Sequence, residues 1–289
     1  MAVKLIIDAG SDLTMAQAQE LDVILIPMTV RFGDKEYRSG VDISNEEFYN
    51  KLASAGELPT TSQPTPFDYE EVYHHVVDAG DEAVVLCVSS ALSGTYQSAC
   101  IAADGLEDRI FVVDTRAVSV AEKILLDYAI SLRNHGANAK EIAAELEKKK
   151  EDVRVFGAVE TLEYLIKGGR LSKAAGAVGS VLGIRPVLHL VDGALEVAGK
   201  ARGTKAAITM THNLVSDIGI DFTMPCALGY TGNDPGVLTP FLDAPSSPWR
   251  DHKVPVYNVG STVGTHTGPG LFLAAFFKKS KRTLDLTFP

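Results

Sequence analysis

The sequence predicts an α/β protein in two parts: a mainly parallel, helix-flanked sheet over residues 1–151, and an α/β domain with a more antiparallel sheet over 152–280, with a tail at 281–289. Three observations predict this. In the first half, short apolar runs alternate with helical patterns, the order that produces parallel strands joined by crossover helices. In the second half Asp192-Gly193 separates two apolar runs, a two-residue hairpin signal that belongs to antiparallel pairing. Between them the run Lys148-Lys149-Lys150 interrupts the pattern, which sets the boundary near Glu151.

Taken in order, strands are expected at Val3–Asp8, Asp22–Arg31, Glu82–Val88 and Arg109–Asp114. Helices are expected at Thr14–Glu20, Asn45–Ala55, Pro66–Asp78, Gly94–Ala103, Val120–Asn134 and Ala139–Lys150. Two starts are marked by chemistry. Ser44 with Glu47 forms a capping box, and Thr65 caps a helix whose first residue is Pro66. After the boundary come a strand at Val153–Val159, a short helix at Leu162–Ile166 and a small-residue helix at Ala174–Leu182. The hairpin Arg185–Val191/Ala194–Ala198, a helix Lys205–Val215 and strands at Cys226–Tyr230 and Val254–Asn258 complete the described pattern. Pro269 is placed to open a helix over Gly270–Phe277, and Ser280–Pro289 is unpatterned.

Composition narrows the function classes. With 46% hydrophobic and 22% charged residues the chain has ample material for packed cores. Cys87, Cys100 and Cys226 have no zinc-site spacing and form no disulfide framework; Cys87 in an apolar run and Cys100 in a helical pattern read as buried thiols. The N-terminus enters a strand pattern without signal-peptide anatomy, and no apolar run approaches the roughly 18 residues that span a bilayer. A cytoplasmic protein whose membrane contact is at most transient is therefore expected. The net charge of −10 argues against general affinity for nucleic acid.

The charge is unevenly distributed. Lys167, Arg170, Lys173, Arg185, Lys200, Arg202 and Lys205 face only Asp192 and Glu196, so Lys167–Lys205 carries +5 and the remainder −15. This segment is either a solvated face or a docking site for phosphate or an acidic partner.

Three stretches could carry chemistry. Ser89 to Ser98 lies where a strand ends and a helix begins, the place where open α/β sheets bind ligands. The free N–H groups of that helix start suit an anion; Ser93 can cap the helix or bond the anion, and Gly94 permits close approach to the backbone. Thr60 to Pro66 is hydroxyl-rich and stiffened by Pro64 and Pro66, so that Thr61 and Ser62 can hold hydroxyls towards a ligand. Gly260 to Gly270 is a glycine-rich loop with a single histidine, His266, between two threonines. His266 can donate to a carboxylate or move a proton near neutral pH; His74, His75, His135, His189, His212 and His252 read as structural. No dinucleotide fingerprint, P-loop, nucleophile elbow or metal-spaced cluster occurs, and Ser93 with His266 lacks an identifiable orienting acid.

Together these stretches resemble the DegV family, including the fatty-acid-binding (FakB) subunits of bacterial fatty acid kinase. The resemblance is carried by Asp8 to Leu13, Thr61-Ser-Gln-Pro64, Ser89 to Ala99, Leu162 to Arg170, Leu182 to Leu188, Lys200-Ala-Arg202 and Gly264 to Gly270, in the family's order and spacing. It implies two α/β domains and a long-chain, palmitate- or oleate-like fatty acid buried between or within them, with no cofactor. It further implies that hydroxyls matching Thr61, Ser62 and Ser93 hold the carboxylate near His266, and that Arg170 and Arg202 flank the mouth. A separate kinase subunit would bind ATP and phosphorylate the carboxylate. The sequence departs from the family's pattern at Asp8-Ala-Gly-Ser-Asp-Leu13 and at Leu271-Phe-Leu273, where bulk predicts an altered pocket or chain-length preference. Two other readings stand beside this one: a self-sufficient small-molecule kinase or hydrolase, and a regulatory module sensing another small anion.

Overall fold

The computed structural model describes residues 2–171 and 183–279. The helix expected at Ala174–Leu182 and the tail from Ser280 lie outside the described residues. In chain order the strands are β1 (Val3–Asp8), β2 (Val23–Ile26), β3 (Thr29–Phe32), β4 (Lys35–Arg38), β5 (Thr60–Ser62), β6 (Glu82–Cys87) and β7 (Ile110–Asp114). They continue with β8 (Val153–Ala158), β9 (Ile184–Val191), β10 (Ala194–Arg202), β11 (Cys226–Tyr230), β12 (Val256–Asn258) and β13 (Phe272–Phe277).

A four-stranded sheet runs β2-β1-β6-β7 with every pair parallel. Parallel neighbours need crossovers, and the helices Met15–Glu20, Pro66–Asp78 and Thr95–Ala102 supply them. Burial on both faces explains why β1 and β6 are nearly continuous apolar runs. Ser44 and Thr65 cap their helices as expected, and Thr14 and Asn138 make the same reciprocal bonds.

The six-stranded sheet runs β10-β9-β8-β13-β11-β12 and is antiparallel except for the β11–β12 pair. Its hairpin turns at Asp192 (φ 48°) and Gly193 (φ 81°), two consecutive left-handed residues that match the twist of the flanking strands. A third sheet, β4-β3-β5, is antiparallel. One apolar core is shared by the two larger sheets: Leu5, Val84 and Val113 belong to it with Ala227, Leu273 and Phe277. The helix Val120–Asn134 packs against both. Among the described residues no helix is long and apolar enough to cross a membrane.

Three expectations are corrected and two short strands are added. Asp22–Arg31 is not one strand: β2 joins the parallel sheet and β3 the three-stranded one, because Pro27 between them has no N–H to continue a ladder. Gly270–Phe277 is not a helix. The helix is Ser261–Thr267, inside the stretch read as a loop, and Phe272–Phe277 is β13, paired on both sides. Gly268 and Gly270, both left-handed, break the helix before the strand, and an apolar run buried on both faces carries no period to distinguish the two forms. Lys35–Arg38 and Thr60–Ser62 are strands with too little apolar pattern to stand out. Cys100 is exposed, because Ser98, Ala99 and Ala102 form the buried face of its helix.

Candidate functional site

Strand β1 is flanked by β2 on one side and β6 on the other, so the chain order reverses between β1 and β6. Open sheets bind ligands in the crevice outside the carboxyl ends of the strands at such a point. A cavity of about 390 Å³ lies there, within the roughly 300–1,000 Å³ of small-molecule pockets. Gly10, Val88 and Leu92, beyond the ends of β1 and β6, line it on one side; Val155, Leu188 and Leu195 of the six-stranded sheet line it on the other.

Its polar groups arrive from separate elements. Thr61 and Ser62 are held by pairing of β5 with Val30 and Thr29 of β3. Ser93 comes from the turn after β6, where its hydroxyl lies 2.8 Å from that of Thr95 and accepts from the Thr95 N–H. Nε2 of His266, on the helix Ser261–Thr267, is 2.8 Å from Thr61 Oγ1. The other ring nitrogen, Nδ1, is buried without a hydrogen-bond partner. Gly168 makes room for it, since a Cβ there would lie 2.3 Å from Nδ1.

Burial, with the nearby charge of Arg170 adding to it, lowers the His266 pKa from 6.5 to about 4. Burial thus favours the neutral imidazole at neutral pH, the form that can donate through a single N–H. A neutral ring has one N–H. Placing it on Nε2 leaves only a lone pair unmet at Nδ1, and buried orphan N–H groups are rarer than unmet acceptors. His266 then donates to Thr61 Oγ1 and leaves the threonine proton free to point at an anion in the cavity. Ser93 bonds Thr95 rather than His266, so no hydrolase pair forms.

Gly94 serves a different purpose from the one expected. It does not line the cavity; a Cβ there would lie 2.3 Å from Oε1 of Gln63, so the space is taken by that side chain. Gln63 lines the cavity and donates to Ser98 Oγ at 3.0 Å, tying the end of β5 to the helix that follows the Ser93 turn. Arg170 borders both the cavity and an adjacent groove containing Glu196 and Lys200 of β10. It is fixed by bonds to Leu92 O (3.1 Å) and Gly168 O (2.8 Å). Arg202, opposite Ile184 on β10, is exposed and lines neither space. Among the described residues of the basic segment, Lys167 pairs with Glu163 and Arg185 with Glu160, so their charges are partly met locally.

Thr262 was not anticipated. Its hydroxyl is buried, lines the cavity and has no partner. It precedes His266 by four residues, so the two share a helix face; reading the stretch as a loop hid that relation. His189 also reaches the cavity wall, but its ring stacks on Phe156 with centroids 5.7 Å apart.

Behind the polar end lies a buried acidic framework. Asp8 accepts from the Gly10 and Val88 N–H groups, each at 2.7 Å. Asp12 accepts from Gly260 N at 2.8 Å and from the Ser119 hydroxyl. Burial raises both carboxyls to about 7. Glu122, fully buried with neither oxygen bonded, is pushed well above its ordinary value by burial and by Asp8 and Asp12. Among the described residues no group of three His, Cys, Asp or Glu side chains is arranged to hold a metal.

The family model described as "Uncharacterised protein, DegV family" matches residues 2–279. A DegV domain-containing protein of Caldanaerobacter subterraneus is 32% identical over 92% of this chain and 95% of its own. A fatty acid-binding protein of Thermotoga maritima is 31% identical over 93% of this chain and 96% of its own. Among solved structures, a fatty-acid-binding DegV family protein from Thermus thermophilus superposes with a TM-score of 0.84 at 31% identity, covering 96% of this chain and all of its own.

Proposed function

The chain belongs to the DegV family, and from that premise we propose that it binds one long-chain fatty acid in the cavity between its two larger sheets. The observation that carries this is the division of the cavity: apolar side chains from both sheets form its walls, while Thr61, Ser62, Ser93, Thr262 and His266 bring polar atoms from a short strand, a turn and one helix. An acyl chain gains about 0.8 kcal/mol per buried CH₂. Uncharged donors then suffice to orient the carboxylate. Relatives described as fatty-acid-binding proteins support the same ligand.

The protein acts as a carrier that presents the carboxylate rather than transforming it. Arg170 stands where the cavity meets the open groove, so a carboxylate held at Thr61 and Ser93 is approached from that side. A separate cytoplasmic kinase docking there would find Lys200 and Arg202 two residues apart on one strand, available to the charge of a transferring phosphoryl group. Purified protein extracted with solvent should yield about one acyl chain per polypeptide by mass spectrometry. Absence of lipid, together with no binding of added palmitate or oleate, would refute the assignment.

A further inference from the structure

Leu273 lines the cavity from β13, in register with Gly157 of β8 and Gly229 of β11. Its side chain lies over Gly229: a Cβ placed there would be 2.7 Å from Leu273 Cδ2, 3.3 Å from its Cγ and 3.1 Å from Val120 Cγ1. Gly229 is not among the residues with positive φ, so its backbone accepts any L-residue. What the glycine contributes is a slot, floored by bare backbone, closed behind by buried Val120 and filled by Leu273. Gly229 itself does not line the cavity, because Leu273 stands between.

We propose that Leu273, seated over Gly229, ends the cavity on the β11 side and thereby limits the length of acyl chain that the protein accepts. This rests on the fatty-acid reading above. The methyl end of an acyl chain has no polar anchor, so the wall it meets decides how many carbons fit. Truncation to alanine removes Cγ and both Cδ atoms and joins the slot to the cavity, adding room for about two methylenes. Each further methylene buried tightens binding about fourfold.

The test measures dissociation constants of delipidated protein for saturated fatty acids of increasing length. In Leu273→Ala the tightest-binding length should rise by about two carbons, with about fifteenfold gain for the longest chains. Leu273→Val should shift it less in the same direction, and decides the matter if the alanine variant does not fold. Adding Gly229→Ala to Leu273→Ala puts a methyl back in the slot and should return the optimum towards wild type. An unchanged optimum in a folded Leu273 variant overturns the proposal, as does a lengthened optimum that Gly229→Ala fails to reverse. A wild-type protein that binds no fatty acid overturns the functional reading itself, and this inference with it.

Discussion

Thr61 and His266, separated by 205 residues, meet with Oγ1 2.8 Å from Nε2, while the far ring nitrogen is buried without a hydrogen-bond partner among the described residues. The contact joins a three-residue strand to a seven-residue helix, and neither element alone positions a donor. Thr61→Val, which keeps the shape and removes the hydroxyl, should weaken fatty-acid binding by about 1.5–3 kcal/mol, the worth of a hydrogen bond to a charged group. Ser93→Ala should do the same in smaller measure, because part of that hydroxyl is engaged by Thr95. Calorimetry on delipidated protein checks both, and affinities equal to wild type would remove the two hydroxyls from the carboxylate end.

The His266 ring should titrate with a midpoint of about 4 rather than 6.5. Its folded value is depressed, so its contribution to stability is fully present above pH 6.5 and is lost as pH falls towards 4. The loss amounts to roughly 3 kcal/mol across that window. His212 shifts the same way, whereas Asp8 and Asp12, raised to about 7, act in the opposite sense between pH 4 and 7. The informative quantity is therefore the difference between wild type and His266→Gln. Denaturant unfolding at several pH values should show that difference changing between 6.5 and 4 and level above 6.5; a flat difference throughout would contradict the burial of the ring.

Arg170 and Arg202 should separate. Arg202 is exposed and outside the cavity, so Arg202→Ala should leave fatty-acid affinity within about twofold while reducing acyl-phosphate formation by a cognate kinase. Arg170 borders the cavity and braces Leu92 and Gly168, so Arg170→Ala should lower lipid affinity as well. Added salt should weaken only the kinase step at Arg202, since surface charges are screened within about 10 Å at 0.1 M. Equal loss of lipid affinity in both variants would defeat this division.

Glu122→Met should stabilise the protein at neutral pH by about 1–3 kcal/mol, because it removes a buried carboxyl with no hydrogen-bond partner. Glu122 has a raised folded pKa, so wild type loses stability as pH rises from the ordinary value of 4.5, and the advantage of methionine should grow in the same direction. A lower melting temperature for Glu122→Met at pH 8 would indicate a partner for this carboxyl.

Much of the fold and of the site is legible in the sequence. Alternating strands and helices identify the parallel sheet, Asp192-Gly193 identifies the hairpin, and the three hydroxyl- and glycine-rich stretches contain Thr61, Ser62, Ser93 and His266, which line one cavity. What escaped was decided by tertiary context. The run Phe272–Phe277 is covered on both faces and so has no period, and it became a strand only because β8 and β11 flank it. Thr262 faces the cavity only because Ser261–Thr267 is helical, a form that its glycines and threonines do not signal. Gly94 showed a space but not its occupant, since Gln63 is 31 residues away in sequence. The sum of charges over Lys167–Lys205 could not reveal that Glu160 and Glu163, just outside it, pair with two of its members.

The placement of β13 bears on how the molecule is made. Each of β8 to β12 leaves the ribosome before β13, yet β13 lies between β8 and β11 and pairs with both. The parallel sheet is complete once Asp114 has emerged, whereas the larger sheet waits as two unjoined pieces for Phe272–Phe277. Until then the facing edges of β8 and β11 offer unpaired amides and carbonyls, a state open to wrong pairing or to another chain's strand. The larger sheet, and with it one wall of the cavity, therefore closes only when this one hydrophobic strand inserts between β8 and β11.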